Sequence, residues 1–319
     1  MKLIIQIPCL NEEESLPKTL SDLPRHIDGI DKIEVLIIDD GSSDKTSDIA
    51  KAHGVQHVMR FTKQRGLARA FNAGLDAAIK AGADIIVNTD ADGQYKGEDI
   101  PHLIQPILEQ RADIVIGNRD IGKMKQSSFI KKKLQRIGSW VVRQLSGLAI
   151  PDATTGFRAY SREAALRLNI ISGYTYTLES IIQAADKNLA IENITISTNE
   201  VKRKSRLFRS IPEYIQRSFV TLIRVYSMFN PFRLFMRFGL IMSLVGSLIG
   251  VRFVYFYMIG EGQGKIQSLI LAAVLILIGF QLCVVGLVSD LISANRRLIE
   301  DILLRIKRIE LTNTIRKDS

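Results

Sequence analysis

The sequence predicts an α/β domain built on a mostly parallel sheet, followed by a pair of membrane-spanning helices. Three observations carry that expectation. Apolar runs of strand length alternate with helix-like runs over about the first 117 residues, the pattern of strands joined by crossover helices. Several of these runs end in carboxylates, and ligands bind at the carboxyl ends of the strands in such sheets. Near the far end, Ile266 to Ser289 carries no charge for 24 residues, enough to cross a hydrocarbon core at about 1.5 Å per residue.

Taken in order, Leu3 to Ile7 reads as the first strand. Asn11-Glu12-Glu13-Glu14 is expected to open a helix, with acids in the first turn where the dipole favours them. Val35 to Ile38 is a second strand running into Asp39-Asp40-Gly41-Ser42, and Ser43 or Asp44 is placed to cap a helix through Ala52. Val55 to Arg60 is a third strand and Leu67 to Ala81 an Ala-rich helix. Asp84 to Thr89 is the fourth strand, Asp99 to Gln110 a helix, and Asp113 to Ile116 the fifth strand. A helix from Ser128 to Leu145, a turn-like stretch from Pro151 to Tyr160, helices at Arg162–Leu168 and Leu178–Lys187 and a strand at Ile191–Ser197 complete the globular part. No GxGxxG follows the first strand, which argues against a dinucleotide oxidoreductase.

Lys plus Arg number 43 against 33 acids, a net charge of +10. The surplus is local: nine basic residues and one acid, Glu213, lie between Lys202 and Arg237. Such a surplus suits an anionic partner, nucleic acid or a membrane surface. The uncharged run decides for the membrane. Phe238 to Gly260 is similar but for Arg252, and Glu261-Gly262-Gln263-Gly264-Lys265 joins the two as a tight polar loop. With basic residues on both flanks, the positive-inside rule places both chain ends and the globular part in the cytoplasm. Ile211 to Arg233 repeats apolar and aromatic residues at helical spacing with arginines between, as helices of the membrane interface do. The expected organisation is a globular domain over 1–210, interfacial helices over 211–234, a hairpin over 235–292 and a basic tail over 293–319. Cys9 and Cys283 are too few for a disulfide framework, and the four histidines form no ligand pattern.

Within this frame Thr89-Asp90-Ala91-Asp92-Gly93-Gln94 stands out. Two carboxylates one residue apart repel each other unless a cation sits between, and hard oxygen donors suit Mg²⁺ or Mn²⁺. Alone, the motif reads either as such a seat or as a solvated turn.

Five motifs occur in order: Ile7-Pro8-Cys9-Leu10-Asn11-Glu12, Ile37-Ile38-Asp39-Asp40-Gly41-Ser42, Thr89-Asp90-Ala91-Asp92-Gly93-Gln94, Gly117-Asn118-Arg119 and Thr155-Gly156-Phe157-Arg158. Together they resemble family 2 glycosyltransferases of the GT-A fold, in the branch of polyprenyl- or dolichyl-phosphate sugar synthases with a two-helix anchor. The match covers about residues 4 to 210, and the topology matches the rest. The resemblance implies a metal-dependent, inverting transfer of a hexose from a UDP- or GDP-sugar to polyprenyl phosphate at the cytoplasmic membrane face. It puts Pro8, Asn11, Glu12, Asp39, Asp40, Gly66, Asp90 and Ala91 around the nucleotide sugar. Asp90, Asp92 and Gln94 are the metal's candidates, and Asp92 and Asp152 the catalytic ones, Asp152 orienting or deprotonating the acceptor or stabilising the sugar.

A lipid phosphate needs positioning and charge relief, which arginine forks supply. Arg119, Arg158, Arg203 and Arg206 are the candidates, with Lys132. Where some relatives have Arg and Ser on the acceptor helix, this chain has Lys131 or Lys132 and Gln135. Glu179 is placed either to face the sugar or on an exposed helix face. A glycan or glycolipid acceptor is the alternative for an enzyme, and a scaffold that binds nucleotide sugar or lipid the alternative of another class. Paired hairpins also make association of copies an expectation; no nucleic-acid partner is expected.

Overall fold

The structure, a computed structural model, describes residues 1–119, 143, 147–148, 150–171, 176–199, 220, 227, 231–260 and 266–318. Seven strands form one sheet: β1 (Lys2–Cys9), β2 (Lys32–Asp39), β3 (His57–Arg60), β4 (Ile85–Asn88), β5 (Ile114–Arg119), β6 (Arg158–Ser161) and β7 (Ile191–Ile196), in the order β3-β2-β1-β4-β6-β5-β7. All neighbours are parallel except β6, which runs antiparallel to both β4 and β5.

The connecting helices are α1 (Leu16–Ser21), α2 (Thr46–Ala52), α3 (Leu67–Lys80), α4 (Ile100–Leu108), α5 (Arg162–Arg167) and α6 (Tyr176–Asp186). The central strands β1 and β4 are apolar runs because helices cover both faces of the sheet. Leu3, Ile5, Ile7, Ile37, Ile85 and Val87 pack with Leu103, Ile104 and Ile107 of α4 on one side. On the other, Gly74 brings α3 so close that a Cβ there would meet Ile38 Cδ1 at 2.8 Å.

The register decides what meets at the carboxyl edge. Cys9 pairs with Asp39, Gln6 with Asn88, and Asn88 with Arg158. Strand β6 is the element the turn-like reading of 151–160 did not anticipate. Because it enters antiparallel, its first residue and the loop before it lie at the edge where the parallel strands end.

The first helix also differs from expectation. It starts at Leu16, not at Asn11, because Asn11 takes a left-handed φ of 55°. Its N–H donates to Ser42 Oγ (2.9 Å), so this stretch ties β1 to the turn after β2 rather than winding into a helix.

Two further helices, α7 (Pro231–Met258) and α8 (Ile266–Asp318), are long and apolar enough to cross a membrane. Their large apolar residues, such as Leu240, Leu244, Leu248, Leu277 and Phe280, are exposed. That is the pattern of helices that fit a membrane anchor, not of a buried hairpin in a soluble core. They approach at backbone distance: a Cβ on Gly239 would lie 2.6 Å from Cys283 Sγ and 2.7 Å from the Gly279 carbonyl oxygen. The chain divides into two units, Met1–Val225 with Lys307–Ser319, and Tyr226–Ile306. The expected helix at 128–145, apart from Arg143, and most of the expected interfacial helices lie outside the described residues.

Candidate active site

The site is built where β1, β2, β4 and β5 end. After β2, Asp39 and Asp40 are both buried, and their carboxylates hold backbone. Asp39 accepts from Ser42 N–H (2.7 Å) and the Ser47 hydroxyl. Asp40 accepts from the N–H groups of Arg65 (2.7 Å) and Gly66 (2.9 Å), clasping the loop that leads into α3. Gly66 takes a φ of 96°, which a side chain would resist, and so turns the loop into the helix. Asn11 Oδ1 accepts from Ser43 N–H (2.8 Å), and Glu12 N–H donates to Thr46 Oγ1 (2.9 Å). The motifs expected around the nucleotide thus form one cross-linked rim, with Pro8 buried at the end of β1 beneath it. Beside this rim a cavity of about 240 Å³ is lined by Phe61, Arg65, Arg69, Asn72 and Asp76, among others.

After β4 come Asp90, Ala91 and Asp92. Asp92 Oδ1 accepts from Gln94 N–H (3.0 Å), so Gln94 takes part through its backbone, and its carbonyl accepts from Asn199 N–H. Ala91 is buried and its carbonyl accepts from Thr19 Oγ1 (3.0 Å). The Asp90 carboxyl is pushed up to about 7, first by burial and then by repulsion from Asp92; Arg119 and Arg158 pull against that shift but do not cancel it. Among the described residues no group of three His, Cys, Asp or Glu side chains is arranged to hold a metal. A carboxylate pair in which Asp92 raises the Asp90 pKa does fit a divalent cation that would leave its remaining positions to diphosphate oxygens and water.

Two further strands bring their motifs here. Gly156, in the loop before β6, lies so near Asp90 that a Cβ would meet its carboxylate oxygens at 2.9 and 3.0 Å. Arg119, at the end of β5, donates from Nε to Asp152 Oδ2 (2.7 Å) and from Nη2 to Asp152 Oδ1 (3.2 Å) and Thr154 Oγ1 (2.8 Å). Burial alone would raise the Asp152 carboxyl, but Arg119 and the hydrogen bonds of Thr154 outweigh it and hold it below the usual carboxylate range. Asp152 therefore stays ionised and makes a poor proton acceptor. Of the roles expected for it, deprotonating the acceptor is the one this geometry disfavours.

Arg158 corrects an expectation outright. It is fully buried, and its guanidinium is spent on the carbonyls of Thr155, Thr177 and Ala153 and on Ser180 Oγ. It pins the loop to α6 and offers no fork to an acceptor phosphate. Glu179 is likewise internal, accepting from Ile171 N–H (2.9 Å) and Gln183 Nε2 (3.0 Å). Lys132, Arg203 and Arg206 lie outside the described residues.

The sequence reading missed a buried polar chain beneath Asp90. Gln6 Nε2 donates to Asn88 Oδ1 (2.9 Å), while Asn88 Nδ2 donates to the Gly156 carbonyl (2.8 Å) and the Tyr176 hydroxyl (2.9 Å). Tyr95 closes the other side, its hydroxyl accepting from Gly156 N–H (3.1 Å) and its pKa raised to about 12 by burial. The signal was present: Gln6 and Asn88 are amides inside otherwise apolar strands, which implies a buried partner for each.

Comparisons agree with this architecture. The model of the family described as Glycosyl transferase family 2 matches residues 4–168. An undecaprenyl-phosphate mannosyltransferase of Micrococcus luteus is 33% identical over 207 residues, covering 62% of this chain and 83% of the relative. A UDP-N-acetylglucosamine–dolichyl-phosphate N-acetylglucosaminyltransferase of Methanococcus voltae is 29% identical over 216 residues, covering 60% and 83%. Among solved structures, glucosyl-3-phosphoglycerate synthase from Mycobacterium tuberculosis, in complex with Mn²⁺, UDP and glucosyl-3-phosphoglycerate, superposes with a TM-score of 0.55 at 20% identity over 71% of this chain and 78% of that one. At that identity the likeness speaks for the fold.

Proposed function

The chain belongs to glycosyl transferase family 2, and from that premise we propose that it transfers a hexose from a nucleotide sugar, UDP- or GDP-linked, to polyprenyl phosphate. The observation that carries this reading is the convergence of the Asp90–Asp92 pair, Gly156 and the Arg119–Asp152 pair at one sheet edge. Relatives that act on undecaprenyl and dolichyl phosphate support the acceptor. The apolar helices α7 and α8 supply the anchor such an acceptor requires, with the globular unit and both termini on the cytoplasmic side.

The chemistry follows from the acceptor's charge. A phosphate monoester has its second pKa at about 6 and is largely dianionic at neutral pH. Its oxygen attacks the anomeric carbon opposite the leaving diphosphate; the new carbon–oxygen bond forms as the bond to diphosphate breaks, with inversion. No proton has to be removed from the nucleophile, which suits an Asp152 held ionised by Arg119. That pair acts by position: it fixes the loop carrying Gly156 and keeps a positive charge beside the acids. Asp90 and Asp92 would hold Mg²⁺ or Mn²⁺, which when bound neutralises charge growing on the diphosphate. The rim of Asn11, Glu12, Asp39, Asp40 and Gly66 shapes the nucleotide pocket, and Arg203, Arg206 and Lys132 remain proposed partners of the acceptor phosphate.

Washed membranes given polyprenyl phosphate and labelled UDP- and GDP-sugars test this directly. Label is expected in the organic extract, lost in EDTA and restored by Mg²⁺ or Mn²⁺. Full turnover in chelator would remove the metal role; label confined to water-soluble product would remove the lipid acceptor. Arg206→Ala should raise the lipid concentration needed much more than the nucleotide-sugar concentration.

A further inference from the structure

We propose that the part of α8 beyond the apolar span is a self-association seam, through which copies of this chain pair in parallel. Beyond Asp290 the helix runs unbroken to Asp318. Along it Ile292, Asn295, Ile299, Ile302, Ile306, Ile309 and Asn313 follow one another at alternating intervals of three and four residues. That is the a and d series of a heptad repeat over three heptads. All five of these isoleucines are largely exposed: Ile292 at 64%, Ile299 at 65%, Ile302 at 56%, Ile306 at 48% and Ile309 at 60%. An exposed stripe of this kind marks a surface that another helix covers.

The opposite side of the same helix is already used. Lys307 and Arg308, at b and c, reach the globular unit, Lys307 Nζ to Asp76 Oδ1 (2.7 Å) and Arg308 Nη2 to Glu163 (2.7 and 2.9 Å). Ile309, beside these two contacts in the chain, remains exposed. Lipid does not cover the far end of the stripe either. Ile309 lies 20 residues past Ser289, about 30 Å further along the axis, beyond the reach of the hydrocarbon layer that the apolar span fills. This step rests on reading that span as membrane-crossing; nothing else in the inference depends on the proposed chemistry.

The flanking positions point to a second copy in parallel. In a parallel coiled coil, g of one heptad meets e of the next heptad on the neighbour, five residues on. Here Arg305 at g faces Glu310 at e, and Leu298 at g faces Leu303 at e. One is a complementary charge pair and the other widens the apolar seam. Isoleucine at both a and d favours three or four strands over two, and Leu298, 65% exposed, broadens the stripe in the same sense. Three heptads are short for a free coiled coil, but anchoring each copy beside the others raises their effective concentration.

The test uses the full chain in native membranes, with Cys283→Ser as background. Ile306→Cys is expected to form an intermolecular disulfide on mild oxidation, at least fivefold more than Asp301→Cys on the outer face. Arg305→Glu in the Ile306→Cys chain should cut that yield about fivefold, and adding Glu310→Arg should restore it. In lipid nanodiscs the unsubstituted chain should have the mass of three or four copies, and Ile302→Lys with Ile306→Lys the mass of one. A single-copy mass for the unsubstituted chain, or equal cross-linking from Ile306→Cys and Asp301→Cys, overturns the seam. Failure of the charge swap to restore cross-linking overturns the parallel register. Sugar transfer measured on the same membranes reports on the site alone, so the two readings fail separately.

Discussion

The two edges of the central sheet treat buried carboxylates in opposite ways. At the amino-terminal edge, Glu34 is bonded by Lys2, Lys32 and His57, each at 2.7 Å. Burial alone would raise its pKa, but these three partners outweigh it and hold the carboxyl at about 2. At the carboxyl edge, Asp90 is pushed up to about 7 by burial and Asp92, and the nearby arginines do not cancel the shift. The same side chain chemistry is closed off at one edge and left unbalanced at the other. Structure can be completed by the chain itself; a ligand seat has to keep charge in reserve for what binds.

If that contrast is right, removing an acid should do opposite things at the two edges. The largest effect is expected from Asp92→Asn: sugar transfer to lipid should fall about a thousandfold, within the range a lost transition-state charge contact produces, while the thermal midpoint in chelator stays level or rises. A clear drop in that midpoint would make Asp92 structural. Asp152→Asn falls between the two edges in kind, since it strands the buried Arg119 charge. Breaking such a pair costs about 3–5 kcal/mol, so both stability and transfer should be lost, read by thermal unfolding and by label in the lipid extract.

Gly156→Ala puts a methyl group against the Asp90 oxygens and the Tyr176 hydroxyl, and about a tenfold loss of transfer is expected, with a smaller loss of stability. At the other edge, Glu34→Gln should cost about 1–2 kcal/mol by the weakening of charge-assisted hydrogen bonds and leave transfer within about twofold. A pH series sharpens that last case. The folded Glu34 value lies below the ordinary one of about 4.3, so its stabilisation is complete above that value and is lost as pH falls through about 2. The gap in thermal midpoint between the unsubstituted chain and Glu34→Gln should not shrink from about pH 7 to 5, where the His57 partner can only gain charge, and should narrow below about 4. A gap that widens below about pH 4 would contradict the assignment.

Much of this was legible in the chain. Strands β1, β2, β4 and β5 announce themselves as apolar runs, and the acids that end β2 and β4 mark the ligand edge. Strand β6 was not legible, because Arg158-Ala159-Tyr160-Ser161 is four residues long and follows a Thr-Thr-Gly turn; nothing local says that it slots between β4 and β5. The role of Arg158 was misread for the same reason. An arginine beside a Gly-Phe motif looks available for phosphate until the fold surrounds it with carbonyls. Asp152 and Arg119 were each singled out, but 33 residues apart in sequence they gave no sign of being partners.

The sequence by itself determined the class of fold, the acidic edge and the apolar helices, because each is written in local periodicity and residue type. Tertiary structure decided how those acids are used. Asp39 and Asp40 became rim-builders, Asp152 became half of a fixed pair, and Asp90 was left with a raised pKa that its neighbours do not cancel. The physical reason is that a carboxylate's pKa and reach depend on what lies within a few ångströms, and at this edge those neighbours come from four strands far apart in the chain.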